Sequence, residues 1–192
     1  MKILTVFCII ALLVGVFYWR TAHALEKPKY TLLSKSGRLE IREYEPVMIA
    51  STPLNGSYDT STSQGFRIIA NYIFGGNQQS QKIAMTAPVL VEDPQAPSYN
   101  MAFVMPTEAV IKGLPDPSSS SLVLKEVSWG RVAVWKFGGK ATENRIKKEW
   151  SDMQKAMELQ NLESSSFDWI AQYNPPFIPP PFRRNELWVL LP

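Results

Sequence analysis

One cysteine and one histidine are all that this 192-residue chain contains, and both, Cys8 and His23, lie before residue 25. Past that point there is no side chain for a disulfide, a thiolate nucleophile, a Ser-His-Asp triad or a zinc site of cysteine and histidine. Cys8 sits in an apolar run and reads as filler. Clustered charge is missing as well. Of the 20 basic residues the first 24 positions hold two, Lys2 and Arg20, and they hold none of the 17 acidic ones. Residues 25–192 therefore stand one positive charge above neutrality with no basic run, which argues against nucleic acid as a partner. No metal site of the chain's own is expected.

Composition is that of an ordinary globular core, 45% apolar and 19% charged, and the length suits one domain behind an N-terminal address. Met1-Lys2 is followed by an uncharged apolar run from Ile3 to Trp19, then Arg20 and a small-x-small end at Ala22-His23-Ala24. This order reads as a secretory signal peptide cleaved after Ala24. The alternative is an uncleaved membrane anchor, with contact to the bilayer only through residues 3–19. Those seventeen residues span roughly 25 Å as a helix, somewhat short of a ~30 Å hydrocarbon core. Either way residues 1–24 address the chain, and residues 25–192 form one exported domain, periplasmic, secreted or anchored facing outward, expected to act as a monomer.

Apolar periodicity orders that domain. Leu39, Ile41 and Val47 to Ala50 give one bent strand or two short ones about Glu45-Pro46. Phe66, Ile69, Ala70 and Ile73 mark a helix face whose start is set by Asp59-Thr60-Ser61-Thr62-Ser63. Strands are expected over Lys82 to Val91 and Tyr99 to Met105. The order then repeats. Strands at Leu122 to Val127 and Arg131 to Phe137 lead to a helix started by Thr142, with Ile146, Trp150, Met153 and Met157 on its buried stripe. Strands at Trp169 to Tyr173 and Glu186 to Leu191 close the chain. Reading β-α-β-β twice predicts one α+β domain of pseudo-twofold architecture, two helices over an antiparallel sheet. Pro175 to Pro181 reads as a stiff connection between the last two strands.

The literal wording of several segments adds to this. Asn71 to Val89 reads NYIFGGNQQSQKIAMTAPV; Ile41-Arg42-Glu43-Tyr44-Glu45-Pro46 precedes it. Val134-Trp135-Lys136-Phe137-Gly138-Gly139, then Tyr173-Asn174-Pro175-Pro176 and Arg183-Arg184-Asn185-Glu186-Leu187-Trp188-Val189, follow it. In this order they resemble the SOUL haem-binding family over nearly everything after residue 30. The resemblance implies an eight-stranded, distorted barrel-like antiparallel sheet with two helices, a fold similar to the effector-binding domains of multidrug-sensing transcription regulators. It also implies non-enzymatic sequestration or transport of haem, a related tetrapyrrole or another flat hydrophobic small molecule, in an apolar cleft beside the first helix. Here that cleft would draw on Phe66, Ile69, Ala70, Ile73, Met85 and Met101, with Trp150 and Met153. Positions where mammalian relatives place basic residues for the propionates read Ser63, Asn71 and Ile178 here; Arg67 and Lys82 lie nearby as substitutes. No histidine is available as an iron ligand.

Glu186 opens a second possibility. A carboxylate among Trp188, Trp135 and Tyr173 is a sound receptor for a cationic aromatic. It is also the best general acid or base for a small-molecule hydrolase, with Tyr173 or Tyr44 assisting. Against this stands an ion pair with Arg183 or Arg184, or a cross-strand pair with Lys136. A third reading is an envelope interaction protein that binds no ligand.

Overall fold

Ser57 ends an extended stretch and caps the first helix, α1 (Tyr58–Ile73). The computed structural model describes residues 25–96 and 98–192, so the expected leader lies outside the described residues. The Asp59–Ser63 run marks the start of α1, as expected, and lies within its first two turns. Thr60 and Ser61 turn their hydroxyls back onto the Ser57 carbonyl at 3.1 and 2.8 Å, which satisfies them within the helix. The buried face is Tyr58, Ser61, Gly65, Ile69, Tyr72 and Ile73. It is rotated by about one residue from the expected Phe66–Ile69–Ala70–Ile73 stripe. Gly65 is the reason: a Cβ there would stand 2.4 Å from Leu54 Cδ2 and 3.4 Å from Met101 Cβ. The helix meets the sheet where it has no side chain, and an absent side chain leaves no mark in an apolar pattern. Phe66 is turned aside and remains 37% exposed.

The strands are β1 (Tyr30–Ser36), β2 (Leu39–Tyr44), β3 (Val47–Leu54), β4 (Val89–Glu92), β5 (Tyr99–Val104), β6 (Val123–Val127), β7 (Gly130–Gly138), β8 (Trp169–Gln172) and β9 (Arg184–Leu190). They form one antiparallel sheet in the order β1-β2-β7-β9-β8-β4-β5-β3-β6. The α+β class and the doubled β-α-β-β order hold. The second repeat, β7, α3 (Glu143–Glu158), β8 and β9, mirrors the first, β3, α1, β4 and β5, across the β4–β8 pair. Each repeat is flanked by a strand that leads into the other one: β2, joined to β3, pairs with β7, and β6, joined to β7, pairs with β3.

Three expectations need correction. The sheet has nine strands and is open, because β1 adds an edge. Its residues YTLLSKS are all exposed and lack the alternation that betrays a strand. A third helix, the short α2 (Thr107–Lys112), buries no side chain. The strand expected from Lys82 begins only at Val89. Before it, Ile83 donates to the Ile73 carbonyl at 2.8 Å and Ala87 to the Glu26 carbonyl at 2.9 Å, so those amides are spent outside the ladder.

Both faces of the sheet are covered. α1 lies over β3 and β5, and α3 over β2 and β7, enclosing a core that includes Leu39, Ile69, Ile73, Met101 and Met153. The opposite face has no helix over it among the described residues, yet Ile49, Leu90, Val132, Ala171 and Trp188 on it are buried. The sheet buries them by curling over itself. Among the described residues no helix is long and apolar enough to cross a membrane.

Candidate functional site

Alternation along β2 sends Leu39 and Ile41 toward the helices and Glu40, Arg42 and Tyr44 into the curl of the sheet. On β9 the same period sends Glu186 and Trp188 there. Cross-strand register brings them together: Glu40 opposes Val134, and Val134 opposes Trp188. Between the two strands the Arg42 guanidinium spends all five of its N–H groups. Its Nη1 and Nη2 donate to Glu186 Oε2 and Oε1, both at 3.0 Å. Nε and Nη2 donate to Glu40 Oε2 at 3.0 and 2.7 Å, and Nη1 also reaches Tyr44 Oη at 2.7 Å. Arg42 and Glu186 are both fully buried.

Glu186 is as completely partnered. Oε2 accepts from Tyr173 Oη at 2.8 Å and Trp188 Nε1 at 2.9 Å, and Oε1 accepts from Arg184 Nη2 at 2.6 Å. Aromatic rings seal the group. Tyr30 lies 4.3 Å under the Arg42 guanidinium, Tyr173 4.1 Å under that of Arg184, and the Trp188 ring is 4.8 Å from Tyr44 and 5.2 Å from Trp129. Lys136 Nζ donates to Glu40 Oε1 at 2.7 Å.

The electrostatics follow from this packing. Burial alone would raise the Glu40 carboxyl, but hydrogen bonds from Lys136 and Arg42 outweigh it and hold it down at about 2. Burial likewise opposes the ionised Glu186, and Arg42 and then Arg184 reverse the balance, so its pKa is lowered. Burial, reinforced by the Glu186 charge, pushes the Tyr173 phenol well up. At neutral pH the cluster is therefore ionised carboxylates and guanidiniums closed by neutral phenols, with no proton poised to move. A depressed carboxyl contributes stability that is complete above its unfolded pKa and disappears as pH falls through the folded one. Stability is thus expected to hold steady from neutrality to pH ~4.5, then to fall by up to ~1.4 kcal/mol per pH unit for Glu40 toward its folded value of about 2, with Glu186 adding a loss of the same sign. Glu40→Gln flattens that limb, and an unchanged slope in this variant would refute the assignment.

The structure thus gathers Glu186, Tyr173 and Tyr44, the three residues considered for acid–base chemistry, but the seat for a cation is already filled by Arg42. Of the partners expected for Glu186, Arg184 is present. Lys136 does stand opposite Glu186 in the β7–β9 register, but its ammonium reaches Glu40, and Arg183 turns to the Ile178 carbonyl at 2.7 Å. Arg42 went unrecognised as a partner. Its signal was available in Glu40-x-Arg42-x-Tyr44, a polar row alternating with the apolar Leu39 and Ile41.

A second surface lies along α1. Ile83 is bonded to the end of the helix at Ile73, and Val89 pairs with Phe103, over which Phe66 sits at 5.5 Å between ring centroids. The segment between therefore runs back along α1 and brings Met85, 36% exposed, beside it. Phe66 and Met85 are open to solvent and Ala70 is half-buried; Arg67 on α1 and Lys82, which is bridged to Phe74 past the end of the helix, are exposed.

Residues 25–190 match the family model for SOUL heme-binding proteins. The chain belongs to the SOUL haem-binding family. This SOUL domain is 24% identical over 158 residues to Heme-binding protein 1 of Xenopus laevis, covering 79% of the chain and 82% of that relative. It is 27% identical over 184 residues to Heme-binding protein 2 of Homo sapiens, covering 88% and 87%. Among solved structures it is similar to a hydrolase from Listeria innocua (TM-score 0.53, 12% identity, 82% and 93% coverage). It is also similar to the EcmrR C-terminal domain (TM-score 0.55, 8% identity, 84% and 96% coverage). At such identities the structural likeness concerns the fold alone.

Within the SOUL domain the residues expected to line a cleft fall into two sets. Ile69, Ile73, Met101 and Met153 are core residues at 2% exposure or less. Trp150 is half-buried on α3 and packs edge-on against Phe167 at 5.7 Å. Phe66 and Arg67 on α1 and Lys82 and Met85 in the segment after it are exposed, with Ala70 half-buried on α1. Of the three positions that the resemblance assigns to the propionates, Ser63 and Asn71 are exposed while Ile178 is buried. Two hollows open elsewhere and neither touches α1. One of about 430 Å³ is lined by Gln154, Met157 and Leu162, and one of about 520 Å³ by Glu92, Phe167, Asp168 and Trp169.

Proposed function

We propose that this domain binds haem, or another flat tetrapyrrole amphiphile, on the outer flank of α1 and holds or carries it as a monomer without altering it. Family membership supports the ligand class, and one observation supports the place: the apolar Phe66 and Met85 and the basic Arg67 and Lys82 are all exposed on α1 and the segment bridged to its end through Phe74 and Lys82. Exposed apolar side chains suit the macrocycle, and two exposed cations suit its carboxylates. Haem when bound supplies an iron centre and a strongly absorbing ring. For the iron, Met85 offers a thioether on that flank, and the described residues hold no imidazole or thiol.

A haemin titration followed by the Soret band and tryptophan quenching tests this. Saturable one-to-one binding is expected, with a Kd on the order of micromolar. Arg67→Glu and Lys82→Glu should each weaken it roughly tenfold, the loss of about one charge-assisted contact. Glu186→Gln should leave it unchanged, because that carboxylate is sealed in the curl of the sheet. Binding that never saturates, or that ignores both reversals, rejects the site.

We further propose that this activity lies outside the cytoplasm. The apolar Ile3–Trp19 run and the Ala22-His23-Ala24 end support export with cleavage after Ala24. N-terminal sequencing of the exported chain should then begin at Leu25. A start at Met1 in a membrane fraction would mark a retained anchor instead.

A further inference from the structure

The β1 edge of the sheet carries chemistry that the haem site leaves unused. All of β1 is exposed, with Tyr30 at 41%, Leu32 at 49% and Leu33 at 50%. The register with β2 shifts between Leu32 and Ser34, which leaves Leu33 as the extra, unpaired residue. A bulge at that point interrupts the ladder and bends the edge, so a further strand does not add in register. Recognition at this edge falls to side chains.

Those side chains form an apolar centre with cations around it. Lys27 and Lys29 lie just ahead of β1 and are exposed. On one face of the hairpin Lys35 and Lys136 share the buried Glu40, their own side chains 56% and 35% exposed. On the other face Arg38 and Arg145, 43% and 45% exposed, share the buried Glu149. Glu40 and Glu149 are 4% and 1% exposed. The acids therefore sit inside and the cations present their outer N–H groups to solvent. Exposed acids occur only toward the Tyr30 end of this strand pair, at Glu26, whose carboxylate caps Thr107, and at Glu43 and Glu45. The chain reaches this edge from Glu26, which is bridged to Thr86, through the exposed Lys27 and Lys29.

We propose that the β1 edge lies against an anionic phospholipid surface. Leu32 and Leu33 enter the interface, and Lys29, Lys35, Arg38 and Lys136 face the headgroup charge. Apolar contact with flanking basic residues is the pairing such a surface selects, each basic residue contributing roughly fivefold to partitioning. The arrangement is independent of haem, which the proposal above places on α1.

The test uses the chain as isolated from cells, carrying Cys8→Ser so that one introduced thiol can be labelled. A polarity-sensitive dye is placed at Ser34→Cys on the β1 edge or, as a control, at Ser120→Cys ahead of β6 on the far side of the sheet. Vesicles contain phosphatidylcholine alone or with phosphatidylglycerol, and carry a lipid-borne quencher. Quenching at residue 34 but not at residue 120, only with the anionic lipid and lost in high salt, is the expected result. Leu32→Ser with Leu33→Ser should lower partitioning at least fivefold while haemin binding is unchanged. Equal quenching at both positions, or none at residue 34, overturns the proposal whatever the leader does. Concentration-dependent dye–dye self-quenching at residue 34 without vesicles would assign the edge to a second copy and overturn it equally.

Discussion

Arg42→Ala is expected to destabilise the domain by about 3–5 kcal/mol, the range for removing one partner from a buried ion cluster. Two carboxylates depend on that guanidinium, and both are at most 3% exposed. Glu186 would keep Arg184, Tyr173 and Trp188, and Glu40 would keep Lys136 and Lys35. Neither set spans the space between them. The cost arises from charge left without its partner, more than from the attraction of the pairs themselves. Combining Arg42→Met with Glu40→Gln and Glu186→Gln should therefore lose much less than Arg42→Ala alone. Guanidinium at a low, non-denaturing concentration should raise the Tm of Arg42→Ala where equal sodium chloride does not. Equal losses in the single and triple variants, measured by urea unfolding, would show that shape and not charge sets the cost.

Trp188→Ala is expected to lose a similar amount, about 3–5 kcal/mol, by a different route. Trp188 is fully buried, packs against Tyr44 and Trp129, and donates its indole N–H to Glu186. Truncation leaves a cavity in the curl of the sheet, which has no helix to settle into it. Trp188→Phe separates the two contributions. It fills most of the space and removes only the hydrogen bond, from a carboxylate that retains three other donor side chains. A loss of roughly 1 kcal/mol is expected for it. If Trp188→Phe is as damaging as Trp188→Ala in chemical denaturation, the hydrogen bond dominates and the cavity argument fails.

What was legible beforehand divides along physical lines. The doubled β-α-β-β order shows in the sequence because α3 buries Ile146, Met153 and Met157 along one stripe, and the inner strands β5, β7 and β9, buried on both faces, read as near-continuous apolar runs. β1 does not show, because an edge strand with no buried side chain has no pattern to display. The true face of α1 was displaced by Gly65, where contact is made through an absence. Glu186 could be singled out from its neighbours Asn185, Leu187 and Trp188, but its principal partner lies 144 residues away. Spacing along a chain cannot measure that distance. The resemblance implies an apolar cleft, but apolar character alone does not separate a cleft wall from a core: Ile69, Ile73, Met101 and Met153 are buried in the core, whereas Phe66 and Met85 remain exposed.

The exchange of flanking strands between the two repeats has a consequence for how the chain folds. β2 waits for β7 before it has a neighbour on its inner side, and the Glu40–Lys136 contact that joins them spans 96 residues. β3 and β6 close the other half in the same way. Non-local closure of this kind is paid for in loop entropy before any contact rewards it, and it places a chain among the slower folders of its size. Neither half forms a complete sheet alone, so the nucleus must draw on both. During synthesis the first repeat emerges with β2 and β3 lacking their later partners, and the interval before β6 and β7 arrive is when this protein is most exposed to misassembly.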